Sequence, residues 1–373
     1  MTTPAEIAAP KQPSAPAGSR EMALVFRGSA REYFRIWAVN LCLTLLSCGI
    51  FSAWAKVRKK RYFYSHVTLD GTPFQYLAQP IPILKGRIVA AVLFSVYYAS
   101  GHFFTALMPY VLVAGLVLAP WVIVRSAAFN ARYSAFRNMT FHFDGNYKEA
   151  LKTIYWMGLI PALVVGSMFQ WWGNMYAGSA LFALFGFTFP WWLRRLKNFI
   201  VSRTAFGGEH GELSATGGQF FKVYFLAGLI MAGAGVIAAL AGAAVFSTLK
   251  KSSSYSVFLI VLPVYAGYVL AFAYIQAGIS NLVWNRTRLG PLSFESTLRG
   301  RGLAGLYVTN ALAILASVGL LTPWAVIRTL KYRADHLRVL QEGDLAGFHG
   351  RETTAVRAAG AEVGEFFDMD LSL

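Results

Sequence analysis

The chain has 373 residues, of which 56% are apolar and only 14% charged, and its formal net charge is +17. So little charge excludes an ordinary soluble protein of this length. The basic excess does not mark a nucleic-acid binder either, because Arg and Lys flank long apolar stretches and form no face of a soluble domain.

Met1 to Ser19 is rich in Ala and Pro and lacks the basic start and apolar core of a cleavable signal peptide, so residues 1–20 are expected to form a disordered cytoplasmic tail. Residues 21–348 follow as the membrane domain. Its first apolar interval, Ile36 to Ala55, contains both cysteines, Cys42 and Cys48. Their spacing fits neither a metal site nor a disulfide framework, and reduced buried thiols are expected. Arg58 to Arg61 come next, and then a stretch without Lys, Arg, Asp or Glu from Arg87 to Arg125, broken at Ser100-Gly101-His102. A second such stretch runs from Lys152 to Arg194, broken near Trp171-Trp172-Gly173-Asn174. A third, from Lys222 to Arg286, is interrupted only by Lys250, Lys251 and the serines after them. Each is long enough for two crossings of about 20 residues and reads as a hairpin that returns to the side it left. The basic links between them belong in the cytoplasm.

The last apolar interval, Gly302 to Ile327, copies the first. At one constant offset Asn40 matches Asn310, Gly49 Gly319, Trp54 Trp324, Arg58 Arg328, Tyr62 Tyr332 and His66 His336. Trp followed by Arg also closes the other hairpins, as Trp121 with Arg125 and Trp191 with Arg194, so the chain is built of repeated units. A Thr-x-x-Gly motif recurs at Thr68 to Gly71, Thr204 to Gly207 and Thr287 to Gly290. Together with Asp70-Gly71 and Asp144-Gly145 it predicts short strands and turns in the cytoplasmic links. The expected fold is an all-α polytopic membrane protein with about eight membrane-embedded helical segments in internally repeated units, joined by short cytoplasmic β-strand links. The two copied segments either cross once, giving eight spans, or are re-entrant and bent at Gly49 and Gly319, giving six with both ends cytoplasmic. Residues 349–373 form a polar tail, acidic at Glu362, Glu365, Asp368 and Asp370, expected to be disordered.

The pattern resembles the bacterial inner-membrane YjgN family. The resemblance rests on Phe26-Arg27-Gly28, Tyr33-Phe34, Ile36-Trp37, Asn40-Leu41, Gly49-Ile50, the run Ala53 to Arg58, Arg61-Tyr62 and Leu69-Asp70-Gly71 with Phe74. Downstream, Leu84 to Arg87, Pro120-Trp121 and Phe141 to Gly145 extend it, so it covers Met22 to Phe348. Ser47-Cys48-Gly49 and Ser52-Ala53-Trp54 depart from the usual Thr-Leu-Gly and Pro-Trp. The resemblance implies a multi-pass protein of the bacterial inner membrane, and no reaction, cofactor or catalytic residue.

The residues themselves agree on the chemistry. The six histidines form no ligand spacing, there is no nucleophile or phosphate-loop motif, and the inferred spans hold no charged residue, so neither an enzyme nor a metal or cofactor site is expected. The candidate pathway or helix-clamp residues are Asn40, Thr44, Gly49, Asn310 and Gly319, since a buried amide must find partners and either lines a passage or ties two helices. Trp54, Arg58, Trp121, Arg125, Trp191, Arg194, Trp324 and Arg328 are expected to be interfacial anchors. Expected partners are the lipid bilayer, through anionic headgroups at the basic links, and a second copy through the glycines between Ala227 and Ala244; no nucleic acid is expected. Two functions fit: a passive channel or transporter for a small solute or lipid, which requires a continuous polar cavity, and a non-transporting scaffold or envelope assembly factor with a dry core.

Overall fold

The computed structural model describes residues 20–342, apart from 157–159, 161–165, 167–172, 174 and 250–253. Both expected tails therefore lie outside the described residues except for Arg20, as do Lys250, Lys251 and most of the outgoing limb of the second long hairpin.

The chain alternates β and helical hairpins. It begins with β1 (Arg20–Met22) and β2 (Leu24–Phe26), rises through α1 (Ala30–Leu46), returns through α2 (Ser52–His66), and turns back in β3 (Val67–Leu69) and β4 (Thr72–Tyr76). The same sequence of events gives α3 (Pro80–His102), α4 (Met108–Tyr133), β5 (Ser134–Phe136) and β6 (Met139–Phe143). Then come α5 (Tyr147–Ile154), α6 (Met175–Arg203), β7 (Thr204–Phe206) and β8 (Glu209–Leu213). Next are α7 (Gly217–Leu249), α8 (Ser254–Asn285), β9 (Thr287–Leu289) and β10 (Leu292–Ser296), and last α9 (Gly300–Ala316), α10 (Thr322–Asp335) and β11 (Leu337–Gln341).

Local chemistry fixes each junction. Thr204 and Thr287 open their strands by donating from Oγ1 to the carbonyls of Ile200 and Val283, which the ending helix leaves without partners. Two residues later the strand turns. Asp70-Gly71, Arg137-Asn138 and Gly207-Gly208 all have positive φ, the primed turn whose twist matches a tight hairpin. The chain leaving the sheet is then held by the preceding helix: Arg61 donates to the Ala78 carbonyl at 3.0 Å, Arg194 to Ala215 at 3.0 Å and Asn281 to Leu298 at 2.8 Å. Asn146 starts α5 by accepting from the Glu149 amide at 2.9 Å.

All eleven strands form one antiparallel sheet, in the order β1-β11-β10-β9-β8-β7-β6-β5-β4-β3-β2. Its two edges belong to one stretch of chain. Arg20 to Met22 pairs with β11 while Leu24 to Phe26 pairs with β3, and Ala23 between them accepts from the Asp70 amide at 2.9 Å. The sheet therefore curls into a barrel with no long free edge, which removes the hazard of open edge strands. Its inward face is apolar and filled: Met22, Leu69, Phe136, Phe206, Leu292 and Val339, from six different strands, meet in one cluster backed by Phe74, Phe141 and Phe294. The Phe141 and Phe206 rings lie 4.7 Å apart and those of Phe74 and Phe136 4.9 Å.

The helices follow the same circular order. Each packs on its neighbours in sequence, and α10 closes on α1. Among the described residues no two helices from opposite sides of this ring share an extensive interface. The apolar clusters of the helical layer are likewise local, each joining only adjacent elements near the barrel.

This architecture corrects the expectation of an all-α protein with about eight membrane-embedded segments and short strand links. The links are one continuous barrel. Among the described residues four helices are long and apolar enough to cross a membrane: Pro80–His102, Thr105–Tyr133 (α4 with its short 3-10 lead), Gly217–Val245 and Ile260–Asn285. Only 17% to 22% of the 18-residue apolar window in each is buried within the protein. α6 is as long, but Gly, Ser, Pro190 and two Trp dilute its apolar run. The copied segments are not single helices: α1 leaves β2 and α2 comes back to β3, and α9 leaves β10 and α10 comes back to β11, so each forms a hairpin with both ends at the barrel.

Candidate functional site

The hairpins α1–α2 and α9–α10 lie side by side in the ring, because α10 packs against α1. Their tips are built alike. In the first, the Ser47 amide donates to Leu43, Cys48 to Leu45 and Gly49 to Thr44, and the Ile50 amide turns back to Ser47 at 3.1 Å. The Ser47 hydroxyl accepts from the Phe51 amide at 2.8 Å and donates to the Thr44 carbonyl, and the Ser52 amide reaches Gly49. In the second, the amides of Ser317, Val318, Gly319, Leu320, Leu321 and Thr322 find the corresponding partners, with Leu321 donating to the Ser317 hydroxyl at 2.9 Å. Gly49 and Gly319 have φ of +90° and +89°, the left-handed conformation that ends a helix and frees the chain to reverse.

Every backbone N–H across both tips is thus satisfied inside the tip, which is the condition for placing a reversing chain in hydrocarbon. The side chains around these turns are apolar and unpacked. Leu45, Leu46 and Ile50 stand out from the first tip and Leu315, Val318 and Leu320 from the second, with Val318 92% exposed.

One turn or two below each tip an amide ties the limbs together. Asn40, buried, donates to the Ala55 carbonyl at 3.5 Å, and its Oδ1 has no hydrogen-bond partner. Asn310 is buried to the same degree but better served. It donates to the Ala325 carbonyl at 3.3 Å and to Thr329 Oγ1 at 3.1 Å, and accepts from Arg328 at 3.2 Å. Arg328 also donates to the Thr309 hydroxyl at 2.6 Å. Thr309 and Thr329 stand where the first hairpin has Val39 and Lys59, so the network has no counterpart there. Thr44 is half-buried and acts through its carbonyl, which closes the turn.

The Trp and Arg residues divide. Arg328 lies 5.1 Å from the Trp324 ring and Arg125 6.0 Å from Trp121, both at cation–π distance. Arg58 instead covers Phe51, which stacks on Trp54, and Arg194 is spent on the Ala215 carbonyl. Trp191 packs on Phe221 with tilted rings, centroids 5.0 Å apart.

Sequence reasoning missed the seal at the base of the first hairpin. The Tyr62 hydroxyl accepts from the Ser29 amide at 2.8 Å and lies 3.4 Å from Glu32, while its ring stacks on buried Tyr33. Burial first, and Tyr62 second, push the Tyr33 hydroxyl up to about 12. His66 and His336, paired in the alignment, each bond through Nδ1 to the carbonyl four residues back and pack on Tyr62 and Tyr332. Ser47 and Ser317, whose hydroxyls close the two tips, fall opposite one another in the same alignment as Gly49 and Gly319.

A filled barrel beneath a ring of apolar helices, with two tips equipped for hydrocarbon, defines an integral membrane protein. The chain belongs to the family described as bacterial protein of unknown function DUF898, whose model matches residues 21–366. It is similar to the inner membrane protein YjgN of Escherichia coli O157:H7 and to that of Escherichia coli K12, each 24% identical over 364 residues, covering 86% of this chain and 88% of the relative. It is also similar to YjgN of Salmonella typhimurium LT2, 28% identical over 154 residues, covering 39% of this chain and 36% of the relative. No solved structure matches the chain.

Proposed function

We propose that this is a lipid-handling protein of the bacterial inner membrane, which holds phospholipid inside its ring of helices above the barrel. The observation that supports this best is the ring order of the helical layer: the ten described helices each pack on their neighbours and close a circle, and no two from opposite sides share an extensive interface. Ten helices of about 10 Å diameter, spaced about 9 Å apart, form a circle about 28 Å across its axes, with an opening of about 18 Å.

The wall of that opening suits acyl chains better than water. Residues 91–98 of α3 are eight consecutive exposed residues, more than two turns, so they present every side of the helix. All but Ser95 are Ala, Val, Leu, Phe or Tyr. Below them the barrel is filled with Phe, Leu and Met, which speaks against a continuous aqueous route for a small solute. The cations of the links cluster where helices meet strands, a distribution that by the positive-inside rule supports a cytoplasmic barrel with anionic headgroups beside it.

Native mass spectrometry of the full chain released from nanodiscs of mixed zwitterionic and anionic phospholipid tests this reading. The expected result is retained phospholipid, enriched in the anionic species, after the bulk lipid has been shed. Release of protein alone under the mildest activation would contradict it and favour the scaffold reading. For the latter, a small cleft of about 100 Å³ lined by Asn138, Thr140, His142, Gly207 and Gly208 offers a partner a partly polar contact.

A further inference from the structure

The ring is not of even height. α3, α4, α7 and α8 have 23, 26, 33 and 32 residues, about 35 to 50 Å of helix, enough for a hydrocarbon core of about 30 Å. α9, α10, α1 and α2 have 17, 14, 17 and 15 residues, and these four are consecutive in the circle, since α10 packs on α1.

The short helices also carry charge close to their tips. Ile50 and Arg58 are eight residues apart, as are Leu320 and Arg328, which places a guanidinium within about 12 Å of each apolar tip. The four short helices measure about 21 to 26 Å, less than a hydrocarbon core of about 30 Å, so a hairpin based at the barrel ends within the bilayer. Between tall α8 and tall α3 the wall therefore stops short of the distal face. Its lip is made of Leu45, Leu46, Ile50, Leu315, Val318 and Leu320, all exposed, on turns whose amides are internally satisfied.

We propose that this low wall is a lateral portal, through which phospholipid of the leaflet distal to the barrel passes over the two hairpin tips into the ring. The inference rests on the lipid-filled ring argued above. A lip of this kind admits acyl chains because it offers them an apolar surface with no unpaired backbone group, and it excludes headgroups only at the depth of the tips.

The test is the depth of the tips in nanodiscs, read by nitroxide collision with oxygen and with a water-soluble nickel chelate. One label is placed on Cys48 with Cys42→Ser, one on Val318→Cys and a control on Phe104→Cys at the α3–α4 tip, both substitutions in a chain with Cys42→Ser and Cys48→Ser. The portal predicts labels at 48 and 318 that collide with oxygen and are several-fold more shielded from nickel than the label at 104. Equal nickel access at all three would show a full-height wall and overturn the portal, whether or not the ring holds lipid. Deep tips in a protein that retains no phospholipid in the native mass spectrum would overturn the lipid-filled ring, and the portal with it.

Discussion

Asn40 and Asn310 occupy matching places and carry unequal loads. Asn310 makes three hydrogen bonds, one of them from a guanidinium, whereas Asn40 makes one long bond and leaves its carbonyl oxygen unpaired. Hydrogen bonds to charged groups contribute about 1.5–3 kcal/mol and ordinary ones about 1. Asn310→Ala is therefore expected to cost about 2–3 kcal/mol and Asn40→Ala about 1 kcal/mol or less, read from thermal unfolding in detergent; equal losses would show that the Arg328 network adds nothing. At the base of the first hairpin, the raised Tyr33 hydroxyl stabilises the fold fully below its unfolded value of about 10, and that contribution is lost as pH rises to about 12. Tyr33→Phe should accordingly flatten the loss of stability between pH 10 and 12. An unchanged alkaline limb would assign that loss to other groups.

Among the elements, the hairpin of α7 and α8 shows how glycines work in this protein. A Cβ on Gly267 would lie 2.3 Å from the Ala234 Cβ, so these helices touch nearly backbone to backbone. Gly267→Ala should cost about 1–3 kcal/mol by overpacking. Gly233→Ala, which meets nothing within 4 Å, should be neutral or slightly stabilising, and equal effects would refute close packing as the reason for the glycines. The apolar hairpins were legible because each helix carries a long run without charge, with its cations confined to the end near the barrel. The pair of short hairpins was only half legible. The charge-free interval ending at Ala55 looks like a span until Lys56 to Arg61 are seen to lie on the returning limb, α2, which had no apolar pattern to announce it. The strands were legible as links from Thr68, Gly71 and their counterparts. Their union was not, since strands of three to five residues carry too little periodicity to name a partner, and the pairings between hairpins reach from 41 residues (Phe26 with Val67) to 321 (Arg20 with Gln341).

The whole molecule depends on closure at one place, where residues 20–26 join both edges of the barrel and α10 meets α1. Met22 is 1% exposed there and belongs to the barrel core. Met22→Ala should cost about 2–5 kcal/mol, as removal of a fully buried side chain does. A loss below 1 kcal/mol would mean that the seam does not hold the barrel shut. If the barrel carries a ring of helices filled by lipid, a cryo-EM reconstruction of the full chain in nanodiscs will show acyl-chain density inside the ring, continuous with the bilayer above the tips of α1–α2 and α9–α10 and ending on the barrel core. A ring interior occupied by protein, or an open aqueous channel through the barrel, would contradict a lipid-filled ring.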